Sequence, residues 1–378
     1  MNSRLDLQMN QAICTRCVMD ISDPTIVFSE DGVCNHCASY EKAFESKVFF
    51  GLKQTATLDE AVAQIKHRGK GKPYDCVIGL SGGVDSTYVA WRVRQLGLRP
   101  LAVHVDNGWN SELAVANIEN ICRGLKIDLK TEVLTWTEFR DLQLAFLKAS
   151  TPDAEIASDH AIVATLYRIS RSLRVPVIAG YNARTESHMP AAWSQGHYDS
   201  RYIRAVHREF GSVPLKTFPM LNWLQGQRFV RRLFNVLNYI DYKKSEAISV
   251  VTKELGWRNY GRKHSESVYT KFFQEYYLPR KFGFDKRRSH LSSLINAGEV
   301  TRQSALEELR KPACSEHEGR ALVEFVQKKL QISPTEFAGI EGAPLRRFED
   351  FDSYARLQQS SGAVVARWLY RTTLKNWL

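Results

Sequence analysis

Ser81-Gly82-Gly83-Val84-Asp85-Ser86-Thr87 sets two adjacent glycines among three hydroxyls and a carboxylate. Glycines let the backbone approach a ligand closely, and a helix starting just beyond them turns its free N–H groups toward an anion. Leu80, Ser81, Gly82, Gly83, Asp85, Ser86 and Thr87 are therefore the expected wall of a phosphate or pyrophosphate site. The hydroxyls of Ser81, Ser86 and Thr87 are further donors. Two familiar phosphate loops do not fit: the run has no Lys for a Walker A loop and no Gly-x-Gly-x-x-Gly fingerprint.

Cys14-Thr15-Arg16-Cys17 and Cys34-Asn35-His36-Cys37 are two Cys-x-x-Cys knuckles. Four thiolates on two tight turns suit a tetrahedral structural Zn²⁺ with no open position, and so a structural metal before a redox pair. His36 reads as a bystander, and Pro24 to Gly32 as a small hairpin. The stretch from Trp257 to His290 interleaves Lys and Arg with Tyr and Phe. Such a mixture serves either phosphates and a stacked base, or a solvated basic face over core aromatics. Lys263, His264, Ser265 and Glu266 are poor core material, and Lys286 and Arg287 are the expected phosphate ligands.

The elements that must hold these residues alternate. Cys76 to Leu80 has the length of a buried strand, and Tyr88 to Leu96 forms a helix ending at Gly97. Strands follow at about Arg99–Gly108, Ile127–Leu134 and Val175–Gly180, with helices near Glu112–Gly124, Glu138–Lys148 and His160–Leu173. This order predicts an α/β fold, a doubly wound parallel sheet with ligands at the strands' carboxyl ends. The polar strand ends at Ser81, at Asp106-Asn107-Gly108 and at Gly180-Tyr181-Asn182 then meet over one crevice. Thr57-x-x-Glu60 predicts a capping box opening a connector helix, Trp193 to Gln227 reads as irregular, and the remainder as mostly helical. Thr301 and Ser333-Pro334-Thr335-Glu336 are helix starts, and Ala363 to Leu378 a docked basic, aromatic helix. The expected organisation is 1–42 tail and zinc ribbon, 43–72 helical connector, 73–240 core, and 241–378 helical region.

Lys plus Arg exceed Asp plus Glu to a net charge of +11, which favours anionic partners. No apolar run is long enough to span a membrane, and Met1 to Gln11 lacks a secretory apolar stretch, so the expectation is cytoplasmic.

The loop resembles the Ser-Gly-Gly-x-Asp-Ser pyrophosphate loop of the ATP pyrophosphatase (adenine nucleotide alpha-hydrolase-like, HUP-like) superfamily. Taken with Cys14-Thr15-Arg16-Cys17-Val18-Met19-Asp20, Val105-Asp106-Asn107-Gly108-Trp109, Gly180-Tyr181-Asn182, Lys263-His264-Ser265-Glu266-Ser267 and Phe284-Asp285-Lys286-Arg287, it is similar to the N-acetyl sugar amidotransferases of bacterial surface-polysaccharide (lipopolysaccharide, O-antigen) synthesis. That resemblance runs from Cys14 to about Pro312. It implies conversion of an acetamido group on a nucleotide-linked sugar to an acetamidino group, with ATP cut to AMP and pyrophosphate, aided by Mg²⁺. Ser81 and Asp85 would serve the ATP step, and Val103, Val105, Asp106 and Gly180 would frame the nucleoside. Asn182, Lys263, His264, Lys286 and Arg287 would contact the acceptor, and His264 or Glu266 would manage a proton on ammonia.

No glutaminase is recognisable: position 2 is Asn, and Cys76, Cys122 and Cys314 lack a nucleophile context. The expected ammonia source is a separate glutaminase similar to imidazole-glycerol-phosphate synthase subunits, with no nucleic acid partner. The alternatives are a tRNA-thiolating enzyme of the same superfamily and a nucleotide-sensing zinc scaffold without turnover.

Overall fold

The computed structural model describes residues 13–49, 52–260 and 266–358. Lys263, His264 and Ser265, and the expected helix at Ala363 to Leu378, lie outside the described residues. Five strands, β1 (Cys76–Gly79), β2 (Pro100–Asp106), β3 (Asp128–Val133), β4 (Val177–Ala179) and β5 (Leu233–Asn235), form one parallel sheet in the order β3-β2-β1-β4-β5. Alternation along each strand sends its side chains to opposite faces. Cys76, Ile78, Ala102 and Ile178 join one apolar layer, and Val77, Leu101, Val103 and Val177 the other.

After α1 (Asn35–Lys47), the first layer is covered by α2 (Leu52–Gly69), α3 (Val84–Gln95) and α4 (Glu112–Leu125). Beyond α5 (Trp136–Ala149), α6 (Ile156–Leu173) covers the other face. Both faces are therefore buried, as a doubly wound sheet requires. Strand order reverses between β1 and β4, which opens a crevice at their carboxyl ends.

Three local expectations are corrected. Helix α2 starts at Leu52, so Thr57 lies in its interior; Leu58, Val62 and Ile65 bury one long stripe that carries the helix past the capping signal. The stretch expected to be irregular contains α7 (Ser200–Phe210) and most of α8 (Trp223–Val230). Asp199 caps α7 through bonds from the Arg201 and Tyr202 N–H groups, and Tyr202, Ile203 and Val206 bury its inner face. The hairpin expected between Pro24 and Gly32 is reduced to turns with a single bridge, Phe28 to Cys34. Strand β5 carries no sequence signal because three residues are too few to show a period; pairing with β4 makes it a strand.

After α9 (Lys244–Leu255), which returns to the first layer, the chain is helical. α10 (Val268–Lys271), a π-helical turn (Phe272–Tyr277) and α11 (Leu278–Lys281) run on without a break, followed by α12 (Arg287–Asn296), α13 (Arg302–Arg310), α14 (Glu316–Leu330) and α15 (Pro334–Gly342). Tyr269, Phe272, Phe273 and Tyr277 pack inward against Val326, Leu330 and Phe337. These four aromatics are thus core and not a stacking face, whereas Trp257 and Tyr260 of the same stretch line a cavity.

Candidate active site

The helix after β1 begins at Val84, one turn earlier than its apolar pattern indicates, so Asp85 stands in its first turn. Gly82 makes the bend with φ +83°, and a Cβ there would lie 2.8 Å from the Ala114 carbonyl oxygen. Only glycine meets both conditions without strain. The Gly82 carbonyl accepts from Trp257 Nε1 at 2.8 Å and from the Tyr260 hydroxyl, so the segment after α9 clamps the loop from outside. The Gly83 N–H donates to Ser81 Oγ at 3.2 Å, and the Ser81 and Ser86 hydroxyls lie 3.1 Å apart. Asp85 accepts a hydrogen bond from the buried Tyr242 hydroxyl, which fixes the carboxylate beside the helix start.

Three cavities meet at this loop. A strand-end chamber of about 440 Å³ is lined by Gly79, Leu80, Val103, His104 and Val105, with Glu155 and Asp159 opposite. A loop chamber of about 360 Å³ has Gly83, Asp85, Gly180, Lys244 and Trp257 in its wall. A C-terminal chamber of about 290 Å³ is built largely from residues beyond Thr270. Ser81, Ser86 and Glu266 line both the strand-end and loop chambers. Asp85 and Lys244 line both the loop and C-terminal chambers. Thr270, Gln274, Lys286 and His290 divide the strand-end chamber from the C-terminal one. Ser81, Asp85, Glu266 and Lys286, spread over two hundred residues of sequence, are thereby brought together.

Four candidates are turned elsewhere. Thr87 is buried, and both its hydroxyl and its N–H donate to the Gly83 carbonyl, so its side chain braces the helix start. The Asn182 amide is consumed as a cap: its oxygen accepts from Arg184 and Thr185, and its nitrogen donates to the Leu237 carbonyl. The Arg287 guanidinium donates to Asp285 and to the carbonyls of Glu308 and Lys311; it borders the C-terminal chamber as a tie between elements. Asp106 accepts from the Gly108 N–H and from Asn110, shaping the turn after β2, and none of the three chambers includes it in its wall.

Lys286 is almost wholly buried, with Nζ 3.3 Å from Glu155 Oε2 and 5.6 Å from the Phe273 ring. Burial works against its charge, yet Asp153, Glu155 and Asp159 outweigh that and raise its pKa above the ordinary value. Across the same cluster Ser194 donates to Asp153 at 2.7 Å, and His197 lies 3.2 Å from Asp159. Burial opposes the imidazolium there too, but Asp159 lifts its pKa to about 9. These carboxylates were not foreseen; their partners are remote in sequence, and only the Asp-x-Glu-x-x-x-Asp run at the start of α6 could have marked them.

The four knuckle cysteines are buried and come together, with Sγ–Sγ separations of 4.0 Å (Cys14–Cys37), 3.6 Å (Cys17–Cys34) and 3.8 Å (Cys34–Cys37). A tetrahedron of sulfurs about 2.3 Å from Zn²⁺ has edges of about 3.8 Å, so the set fits that ion. Hydrogen bonds from Cys17, Cys34 and Cys37 push the Cys14 thiol down, and those from Cys14, Cys17 and Cys34 push Cys37 up. Four touching sulfurs share negative charge poorly unless a cation sits among them. N–H groups of Cys17 and Cys34 donate to Cys14 Sγ, and Asn296 Nδ2 donates to Cys37 Sγ at 3.4 Å. His36 pairs with the buried Asp23 carboxylate at 2.6 Å and is not among the four ligands.

Fold and site together define a parallel α/β domain with a Gly-Gly loop at the sheet's switch point, backed by a cysteine knuckle and a helical C-terminal region. Residues 266–362 match the family model described as "LPS biosynthesis protein WbpG-like, C-terminal domain", and that stretch carries Glu266, Lys286 and Arg287. No curated protein sequence matches the chain. Among solved structures it is similar to NMN synthetase from Francisella tularensis, at 15% identity and TM-score 0.32 over 78% of this chain and 99% of that one. It is also similar to the NH3-dependent NAD synthetase from Campylobacter jejuni, at 15% identity and TM-score 0.30, again over 78% and 99%. No helix among the described residues is long and apolar enough to cross a membrane.

Proposed function

We propose that the chain is an ATP-dependent, AMP-forming amidotransferase of lipopolysaccharide or related glycan synthesis, acting on the acetamido group of a nucleotide-linked sugar. The observation that carries this reading is the meeting of three chambers at one Gly-Gly loop; in this reading they would take nucleoside, pyrophosphate and acceptor. The WbpG-like match on the region that walls the third chamber supports the choice of pathway.

An amide carbon is a weak electrophile and its oxygen a poor leaving group. In the proposed reaction the amide oxygen attacks the α-phosphorus, the bond to the β-phosphate oxygen breaks, and the amide N–H proton leaves to solvent. Ammonia then adds to the imidate carbon, the C–O bond breaks with its electron pair going to AMP, and the amidine remains. The N–H groups of Val84, Asp85 and Ser86 at the start of α3, with the Ser81 and Ser86 hydroxyls, would hold the pyrophosphate as its charge develops. Lys244, on the wall shared with the C-terminal chamber, adds a cation there. Asp85 and Glu266, both in the wall of the loop chamber, would share a Mg²⁺ with substrate phosphates, the usual mode for an ion that keeps few protein ligands; it would supply charge neutralisation. Glu266 also reaches the strand-end chamber and is the described candidate for the ammonia proton.

Cys76 is fully buried, burial pushes the Cys122 thiol up to about 11, and Cys314 donates to the Glu275 carbonyl. None of the three chambers has a cysteine in its wall, which favours amidation over tRNA thiolation, and in this reading the ammonia comes from a separate glutaminase. Incubation with ATP, ammonium and UDP-linked acetamido sugars should release AMP and pyrophosphate and give a sugar lighter by the difference between O and NH. Asp85→Ala or Ser81→Ala should abolish both products. Full turnover in either variant, or pyrophosphate release driven by tRNA and not by sugar, would overturn the assignment.

A further inference from the structure

We infer that the C-terminal chamber is the acceptor pocket, that it takes a phosphate-bearing sugar, and that Gln274 selects the acceptor; this rests on the amidotransferase reading above. Apart from Asp85, Thr185 and Lys244, every residue lining this chamber falls between Thr270 and Ala313, on the WbpG-like segment. The loop and strand ends are equipment for any nucleoside triphosphate. Selection among acceptors therefore belongs to the wall that the C-terminal region supplies.

The lining suits a glycosyl phosphate. Leu291, Leu294, Val300 and Ala313 give an apolar patch on which the C–H face of a pyranose can lie, while Lys244 and Lys271 give cations for phosphate. Lys271 has no ion-pair partner among the described residues. Arg287 is spent on Asp285 and two carbonyls, and Lys286 is held by Glu155, so neither is the main phosphate contact.

Gln274 stands in the wall between this chamber and the strand-end chamber. Its Nε2 donates to Glu155 Oε2 at 2.9 Å, the oxygen that Lys286 Nζ approaches at 3.3 Å. That bond fixes which way the amide faces and leaves Oε1 as an acceptor for the N–H of an acetamido group. Its neighbour Phe273 and the flanking Phe272 and Tyr277 are locked in the core, so the π-helical turn holds Gln274 rigidly at the opening. From that wall a bonded acetamido group would have Asp85 on the C-terminal side and Ser81 and Ser86 on the strand-end side.

The test is calorimetric titration of the full-length, zinc-loaded chain with a non-hydrolysable ATP analogue and with UDP-N-acetylglucosamine, UDP-N-acetylgalactosamine and UDP-glucose. Leu294→Trp, which fills the chamber, and Lys271→Ala should each weaken the UDP-acetamido sugars by about tenfold or more while leaving the ATP analogue unchanged, the scale of one charged contact. Gln274→Ala should remove the preference for UDP-acetamido sugars over UDP-glucose, raising acceptor KM without raising ATP KM. If UDP-acetamido sugars bind and turn over but these variants leave their affinity unaltered, or if the ATP analogue displaces them, the pocket assignment falls alone. If no UDP-acetamido sugar binds the unaltered chain, the amidotransferase reading and this inference fall together.

Discussion

Two histidines on neighbouring elements pull the pH dependence of stability in opposite directions. His160 on α6 donates from Nδ1 to the His197 carbonyl at 2.7 Å and accepts at Nε2 from the Leu221 N–H at 3.0 Å. Burial pushes its pKa down to about 4, against an ordinary 6.5, with the charges of His197 and Arg204 adding in the same sense. A depressed pKa means its contribution is complete above pH 6.5 and is lost as pH falls through about 4; the shift is worth on the order of 3 kcal/mol. His197, raised to about 9, behaves the other way: its contribution is complete below pH 6.5 and is lost as pH climbs through 9. Stability by urea unfolding should therefore peak near neutrality. His160→Gln should flatten the acid limb and His197→Gln the alkaline limb; an unchanged slope in either variant would refute the assignment for that residue.

Helix starts show how far a local signal reaches. Thr301 and Ser333 each accept the N–H expected of an N-cap, at Ser304 (3.2 Å) and Glu336 (3.1 Å), and Pro334 takes the first helical position beside Ser333. Thr57 carries the same residue pattern but stands inside α2, where no N–H is left for it to cap. Thr301→Ala should cost about 1 kcal/mol in chemical denaturation, the usual value of a cap, whereas Thr57→Ala, exposed in mid-helix, should cost nearly nothing. Equal losses would show that the α2 boundary is misplaced. Helix α7 does carry a local signal: Tyr202, Ile203 and Val206 recur at helical spacing behind the Asp199 cap, and the aromatic, Pro and Gly residues around them draw the whole stretch into an irregular reading.

At the scale of the molecule, the cysteine knuckle is mortised into the C-terminal helices that wall the C-terminal chamber. Arg302 donates to the carbonyls of Cys14 and Cys17, Arg288 pairs with Asp20 and bonds the Val18 carbonyl, and Ser292 accepts the Val18 N–H. If the knuckle holds zinc and the C-terminal chamber takes the proposed acceptor, a chelator, or Cys17→Ser, should raise hydrogen exchange across α12 and α13 and weaken UDP-acetamido sugars before it weakens the ATP analogue. Exchange confined to the first forty residues would show that the knuckle is an independent appendage. By itself the sequence determined the loop, the four thiols and the strand–helix alternation, because each is a signal written within a few residues of chain. Only tertiary structure decided which candidates face the crevice. Thr87, Asn182 and Arg287 have the right chemistry but spend it on neighbours, and Glu155 meets Lys286 across 131 residues. The direction of a polar side chain is set by what packs behind it, and those atoms come from distant elements. At the loop the sequence named the anion cradle, and the fold supplied Trp257, Tyr260 and Tyr242 to hold it in shape.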